Sequence, residues 1–237
     1  MKAILKNNRN ITENLHILTF AVKSDFAVKP GQFVNITAPD KSVLLRRPFS
    51  IIASEGREFS VLIKVIGSGT ESITRMKEGD ETDVLYPLGN GYADEIDHDS
   101  TLFIAGGIGI AGIMMFLKED SHIVFGDRRQ EYSDMIEHMN LNCIYFSEEG
   151  NTRYRGFVSQ YSGINDYRHI VACGPMPMFK SILAIIDSNI RFTVICEEIM
   201  ACGIGLCNGC ALRMKDGSFR KVCTDGPVFN GREIEYD

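Results

Sequence analysis

The sequence predicts a mixed fold of three units: an N-terminal antiparallel β-barrel over residues 1–98, an α/β domain with a doubly wound parallel sheet over 99–195, and a small β-rich module over 196–237. Three observations support this division. The first unit contains short alternating runs separated by turn residues, which is typical of antiparallel strands. The second alternates apolar strands with helical patterns, which is typical of parallel βαβ units. The third carries four cysteines in one short span.

The runs in the first unit are expected to form β-strands. They cover Ile11–Val22, Gln32–Ala38, Arg47–Ala53 and Glu58–Ile66. Turn residues such as Lys29-Pro30-Gly31 and Ser54-Glu55-Gly56 separate them, and several short strands at this spacing predict a small antiparallel barrel. A brief helix is expected from Gly69 to Met76.

Strands and helices alternate in the second unit, so we expect a parallel sheet covered by helices. The expected strands are Thr101–Ala105, His122–Phe125, Asn142–Phe146, His169–Ala172 and Arg191–Ile195. The expected helices are Ile108–Lys118, Glu131–Met139 and Met178–Asp187, with a short one over Gly156–Tyr161. Beyond residue 196, turn signals at Asp216-Gly217 and Asp225-Gly226-Pro227 indicate a small β-rich appendage.

Composition and charge exclude several classes of protein. Apolar residues make up 44% and charged residues 24% of the chain, as in an ordinary soluble globular protein. The net charge is −6 and no run of Lys and Arg exceeds a pair, which argues against nucleic-acid binding through a basic face. No apolar run reaches the roughly 18 residues that a bilayer span requires. No secretory signal follows Met1, so we expect a cytoplasmic protein.

The four clustered cysteines predict a metal centre. Cys202, Cys207, Cys210 and Cys223 have the spacing C-x4-C-x2-C-x12-C, and the first three match plant-type 2Fe–2S proteins. Structural zinc sites usually present two separate C-x2-4-C pairs, so three bunched cysteines favour iron–sulfur, although zinc stays open. Disulfides are disfavoured because the chain has seven cysteines and cytosolic thiols stay reduced.

A glycine-rich segment follows the first predicted strand of the second unit. It contains G-x-G-x-x-G from Gly107 to Gly112 and opens a predicted helix, the context in which backbone N–H groups bind a pyrophosphate. Asp127 ends the next strand and is placed to bind a ribose, whereas Arg128 and Arg129 favour a phosphate instead. The alternative is a glycine-rich helix start that only packs closely against a strand.

Two further motifs carry little weight alone. Cys173-Gly174-Pro175 places a thiol at the carboxyl edge of the sheet, where ligands of such sheets bind, but a buried cysteine before a helix-start proline is common. Arg46–Ser50 and Gly67–Thr70 lie in the barrel. An arginine can grip a phosphate there, although most surface arginines are simply solvated.

Together these motifs resemble the ferredoxin–NADP reductase superfamily. The order matches: R-x-[YF]-S at Arg47–Ser50, G-x-G-T at Gly67–Thr70, a glycine-rich nicotinamide loop, then Cys-Gly-Pro. Within that superfamily the ending, Glu198–Cys210 and Lys221–Phe229, is similar to the electron-transfer subunits of type B dihydroorotate dehydrogenase. The resemblance covers essentially the whole chain.

The resemblance implies three cofactors and their residues. FAD would be held by Arg47, Pro48, Phe49, Ser50, Leu62, Ile63, Lys64, Gly69 and Thr70. NAD would be bordered by Gly107, Gly109 and Cys173. A 2Fe–2S cluster would be held by Cys202, Cys207, Cys210 and Cys223. Two residues depart from the family pattern. Asp127 leaves the choice between NAD and NADP open, and Ile199 leaves the electrostatic field near the cluster open.

The resemblance also implies a partner and a pathway. An FMN-containing dihydroorotate dehydrogenase catalytic subunit would pass electrons through the cluster and FAD to NAD+, in the synthesis of UMP, in a heterotetramer with two copies of each subunit. This chain would be an oxidoreductase subunit without catalytic residues toward dihydroorotate. Met200, Ile204 and Leu206 are candidates for an apolar docking rim, unless they fold inward as core.

Two other functions stay open at this point. The chain is also compatible with the small flavin and iron–sulfur subunit of another NAD(P)H oxidoreductase, of the NADH-dependent ferredoxin:NADP oxidoreductase or sulfide dehydrogenase type. The non-enzymatic alternative is a zinc-stapled nucleotide-binding protein.

Overall fold

The computed structural model describes residues 1–236, and its N-terminal unit is a closed six-stranded antiparallel barrel. The strands are β1 (Lys2–Thr12), β2 (Leu15–Val22), β3 (Phe33–Ile36), β4 (Arg47–Glu55), β5 (Glu58–Lys64) and β6 (Glu81–Leu88), with helix α1 (Ser68–Thr74) between the last two. Their order around the barrel is β1-β2-β5-β4-β3-β6. Inward side chains such as Leu18, Phe20 and Val61 form its core, because alternate residues of a strand face the same side.

Two barrel strands differ from the sequence-based expectation. The predicted strand Ile11–Val22 is a hairpin, in which β1 ends at Thr12 and β2 begins at Leu15. Neither the start of β1 nor β6 was expected. The segment Lys6–Asn10 is entirely polar, so β1 lacks an alternating pattern, and β6 buries only every second residue from Thr82 to Tyr86. Both strands are stabilised by pairing with each other and with distant neighbours rather than by a strong local signal.

The second unit is built on a parallel sheet. Its strands are β7 (Thr101–Gly106), β8 (His122–Asp127), β9 (Cys143–Ser147), β10 (Tyr154–Arg155), β11 (His169–Cys173) and β12 (Arg191–Ile195). The helices are α2 (Ile110–Ile113), α3 (Ser133–His138) and α4 (Met176–Leu183), and no helix within residues 1–236 is long and apolar enough to cross a membrane. Strands β7 and β11 are buried almost throughout, as expected for parallel strands covered on both faces.

The predicted helix Ile108–Lys118 is the clearest local difference. In the structure it is a 3₁₀ turn over Gly107–Gly109, the short α2, and a second 3₁₀ turn over Met114–Phe116. Glycine and β-branched isoleucine alternate through this segment, and both lower helix propensity, so one continuous helix is not favoured.

The C-terminal module is tied into the parallel sheet. It contains β13 (Ala211–Arg213) and β14 (Phe219–Lys221), which pair with each other, and β15 (Val228–Asn230), which pairs antiparallel with β12. The full sheet order is therefore β10-β9-β8-β7-β11-β12-β15. The predicted fold class of barrel, doubly wound domain and small β-rich module is confirmed, but the module also extends the sheet and is not a separate appendage.

The buried side chain of His169 makes the stability of this fold depend on pH. His169 begins β11, is 8% exposed, and its Nε2 lies 2.9 Å from Thr193 Oγ1. Burial, helped by the nearby Arg191, lowers the pKa of His169 from 6.5 to about 4. The unfolded chain therefore binds more protons between these values, so the stabilisation is complete above pH 6.5 and is lost as pH falls toward 4.

We expect His169→Gln to lessen this acid sensitivity. Between pH 6.5 and 5.5 the wild type should lose about 1 kcal/mol of unfolding free energy more than the variant does. Urea unfolding at constant ionic strength measures the difference. Thr193→Val, which removes only the hydroxyl partner, should lower stability but keep the wild-type pH slope. Equal slopes for wild type and His169→Gln would contradict the prediction.

Candidate functional site

A cavity of about 310 Å³ lies where the barrel meets the other two units. Seven residues expected to bind FAD line it: Arg47, Pro48, Phe49, Ser50, Leu62, Lys64 and Thr70. Two of the expected residues do not. Ile63 is fully buried inside the barrel, because on β5 it points away from its neighbours Leu62 and Lys64. Gly69 lies against the guanidinium of Arg47 instead.

Arg47 occupies the space that Gly69 leaves. A Cβ on Gly69 would lie 2.7 Å from Arg47 Nε and 3.1 Å from Cζ, so any larger residue would displace the guanidinium. Arg47 Nη1 also donates to the carbonyl of Leu45 at 2.7 Å. Thr70 Oγ1 accepts from the N–H groups of Ile66 and Gly67 and shapes the same turn. This cradle brings a fixed cation to the cavity, which fits the pyrophosphate of FAD.

A second cavity, of about 680 Å³, opens at the carboxyl ends of β7, β8 and β11. This edge is where open α/β sheets bind their ligands. Gly107, Gly109 and Cys173 were expected to border the nicotinamide. Gly107 lines this cavity, whereas Gly109 and Cys173 do not reach its surface. An added Cβ on Gly109 would lie 2.5 Å from the Cys173 carbonyl oxygen, and the thiol is wholly buried, which raises the pKa of Cys173.

The acid and the two arginines after β8 are held by the protein itself. Asp127 accepts from the N–H groups of Gln130 and Glu131, at 2.8 and 2.6 Å, in the turn before α3. Arg128 and Arg129 both pair with Glu149, at 2.7 and 3.4 Å. Two acids thus balance two arginines at this rim of the cavity, which leaves no net positive charge for an additional phosphate group.

The two cavities meet at two side chains. Lys64 and Ile108 line both of them. The Lys64 ammonium pairs with Glu131 and lies 5.4 Å from the ring centroid of Tyr132. Ligands of the two cavities would therefore approach each other beside Lys64. Sequence reasoning did not assign Ile108, Glu131 or Tyr132, and only the position of Ile108 inside the glycine motif signalled it.

The cluster cysteines form two pairs. Cys210 Sγ and Cys223 Sγ are 3.2 Å apart and both residues are 2% exposed. Cys202 is half-buried and Cys207 is exposed, and each accepts a backbone N–H of the loop, from Ile204 and Gly209 respectively. The Ile204 N–H donates to Cys202 Sγ, which together with Cys207 lowers the pKa of Cys202 to about 6, whereas burial raises the pKa of Cys223 to about 11.

This pairing distinguishes between kinds of metal centre. Two pairs of thiols fit the two irons of a 2Fe–2S cluster with four cysteine ligands. They fit less well the closed tetrahedral cage of a structural zinc. N–H donors to Cys202 and Cys207 also suit thiolate ligands.

The cavity of about 310 Å³ is called the flavin cavity below, the one of about 680 Å³ the nicotinamide cavity, and the segment Cys202–Cys210 the cluster loop. The residues just before the cluster loop form one wall of the flavin cavity. Cys196, Glu197, Glu198 and Met200 line it, directly before Cys202. Glu197 is exposed to the solvent-filled cavity, although the protein around it still raises the pKa of its carboxyl group by desolvation. Sequence reasoning did not assign Glu197. The flavin cavity thus adjoins the cluster loop on one side and the nicotinamide cavity on the other.

Comparison with known proteins shows which domains the chain contains. Residues 2–92 match the oxidoreductase FAD-binding domain, and residues 197–235 match the iron–sulfur cluster binding domain of dihydroorotate dehydrogenase B. Among solved structures, that of an NADH-dependent reduced ferredoxin-NADP oxidoreductase has a TM-score of 0.80 at 24% identity, covering 99% of this chain and 90% of that chain. At this identity the likeness shows the fold alone.

Curated relatives are similar along the whole chain. The dihydroorotate dehydrogenase B (NAD(+)) electron transfer subunit of Caldanaerobacter subterraneus subsp. tengcongensis is 34% identical over 247 residues, covering 100% of this chain and 98% of that protein. The subunit of the same name from Clostridium acetobutylicum is 32% identical over 231 residues, covering 95% and 94%. The resemblance found in the motifs is confirmed, and the chain belongs to the family of dihydroorotate dehydrogenase B electron transfer subunits.

Proposed function

We propose that this chain carries electrons from an FMN-containing dihydroorotate dehydrogenase catalytic subunit, through a 2Fe–2S cluster and FAD, to NAD+ in UMP biosynthesis. One observation carries the proposal. The flavin cavity is bounded by the segment that enters the cluster loop, and it shares Lys64 and Ile108 with the nicotinamide cavity. Bound FAD supplies the exchange between hydride transfer and single-electron transfer.

The residues of the chain have distinct roles in this function. Arg47 holds the FAD pyrophosphate, while Ser50 and the apolar Leu62 meet the ring system and exclude water from it. Gly107, with a φ of 55°, lets the loop after β7 approach bound NAD closely, at the nicotinamide that it is expected to border. The four clustered cysteines hold the irons. The oxidation of dihydroorotate is assigned to the catalytic subunit.

The partner and compartment follow from the same family membership. The relatives are named electron transfer subunits, which supports a complex with a catalytic subunit, and we propose two copies of each. None of the seven cysteines is joined in a disulfide, which fits the reducing cytoplasm that we propose as its location.

The direct test is anaerobic co-expression with a candidate FMN-containing subunit. The complex should reduce NAD+ in the presence of dihydroorotate, and the catalytic subunit alone should not. Metal analysis of the purified chain should find two irons and two acid-labile sulfides, with one FAD. A colourless protein that contains zinc and no flavin would overturn the proposal.

Cys210→Ser should abolish cluster binding, because its thiol is one of the two inner ligands. Iron and acid-labile sulfide should fall from about two of each per chain to near zero. Cys143→Ser is the matched control, since Cys143 lies on β9, far along the chain, and burial raises its pKa to about 11. Cluster retention in Cys210→Ser, or equal loss in Cys143→Ser, would contradict the assignment of ligands.

Arg47→Ala should weaken FAD binding. A charge-assisted hydrogen bond contributes about 1.5–3 kcal/mol, so the dissociation constant should rise about 10- to 100-fold. Titration of flavin-free protein with FAD, followed by flavin fluorescence, measures it. Arg46→Ala is the control, because Arg46 pairs with Asp83 at 2.8 Å on the outside of the barrel. Similar affinities for the two variants would show that Arg47 has no special role.

Ile204→Glu should weaken docking of the catalytic subunit while FAD and iron stay bound. Ile204 is 48% and Leu206 78% exposed beside the cluster, whereas Met200 packs against the core. A buried charge at an apolar contact is costly, so affinity should fall at least about tenfold. Ile185→Glu, 42% exposed just beyond α4, is the control. Unchanged co-elution on gel filtration would refute the docking rim.

A further inference from the structure

Asn35 is a polar residue in an apolar strand. It lies in β3, whose four residues are all buried, and it is itself 1% exposed. Its Oδ1 is buried and has no hydrogen-bond partner among residues 1–236. Leaving a buried acceptor unpaired costs about 1–3 kcal/mol, and asparagine also disfavours the strand conformation. An apolar residue would stabilise this position better, so the amide is expected to serve another purpose.

The side chain shares a face with the flavin cavity. In the ladder between β3 and β4, Asn35 lies opposite Pro48 and Phe33 lies opposite Ser50. Residues directly opposite each other on paired strands project to the same side. Phe33, Pro48 and Ser50 all line the flavin cavity, whereas Val34 and Ile36 fill the barrel core.

The same amide touches the cluster loop. A Cβ on Gly203 would lie 2.1 Å from Asn35 Nδ2 and 3.2 Å from its Cγ, so only glycine permits this approach. Gly203 has a φ of 70° and directly follows the cluster ligand Cys202. The Asn35 amide therefore bridges the face of the barrel that meets the flavin and the loop that holds the outer pair of thiols.

We propose that the Asn35 amide N–H₂, which lies against Gly203, donates a hydrogen bond to a sulfide sulfur of the cluster on its Cys202 side and raises the cluster's reduction potential. This inference rests on the proposed function. Hydrogen bonds to sulfur favour the reduced cluster, because that state carries the additional negative charge. Asn35 acts as a positioning residue. Its contact with Gly203 holds the cluster loop beside β3, whose residue Phe33 lines the flavin cavity.

The test compares Asn35→Leu with the wild type, as full chains carrying FAD and cluster under nitrogen. Leucine has a similar volume but no donor. The reduction equilibrium of the cluster should become about tenfold less favourable, which corresponds to a midpoint 59 mV lower for one electron. The electron paramagnetic resonance spectrum of the reduced cluster should shift. The unfolding free energy of the flavin-free, cluster-free chain should not fall.

Thr82→Val is the matched control. Thr82 is also buried in the barrel, at 5% exposed, and its Oγ1 donates to the Thr37 carbonyl at 2.7 Å. This variant should lose stability but keep the wild-type midpoint and spectrum. Should Asn35→Leu hold no cluster, Asn35→Ala replaces it, because alanine removes the donor without crowding the loop.

The outcomes separate this inference from the proposed function. An unchanged midpoint and spectrum in an Asn35 variant that holds its cluster overturns the inference alone. Loss of the cluster from both Asn35 variants, with FAD still bound and Thr82→Val intact, supports the positioning role. A wild type without iron and sulfide overturns the proposed function, and the inference with it.

Discussion

The pairing of β15 with β12 is the constraint on which the functional arrangement depends. Ile195 lies opposite Val228, and the Cys196 N–H donates to the Pro227 carbonyl at 2.9 Å. The chain from residue 196 to 227 therefore leaves the sheet edge and returns to it, and it holds all four clustered cysteines. Because both ends are fixed, the sheet holds this cysteine-bearing segment beside the cavity that Cys196, Glu197 and Met200 line, whereas a flexible linker would leave its position variable.

The barrel closes the arrangement from the other side. The Asn90 N–H donates to the Gly226 carbonyl at 2.8 Å, and Phe33 of β3 belongs to the same apolar core as Cys210 and Cys223. The parallel sheet and the cysteine module thus share one packed core, which Phe33 of the barrel joins, while the rest of the barrel keeps a core of its own. Displacing any one unit would open that core to water, at about 25 cal/mol per Å² of apolar surface.

Local patterns predicted what short-range physics determines. Strands β7 and β11 end within one residue of their expected limits, and the expected flavin stretch Arg47–Ser50 lines a cavity. Features that depend on distant partners were missed, such as the pairing of β15 with β12. Ile63 faces the barrel core because alternate residues of β5 point to opposite sides. Cys173 lies beneath the nicotinamide cavity because Gly109 packs closely against it. Motif spacing alone predicts neither position.

The four clustered cysteines differ in environment, so the cluster site has an exposed side and a buried side. Cys207 is exposed, beside the outward-facing Ile204 and Leu206. Cys210 and Cys223 are almost fully buried and pack in one core with Phe33, which lines the flavin cavity. Cys207 is accessible to another protein, while Cys210 and Cys223 are insulated from water in the core that contains Phe33. A cluster held between them would connect a docking surface to an interior cavity, which is the geometry that relaying electrons between two proteins requires.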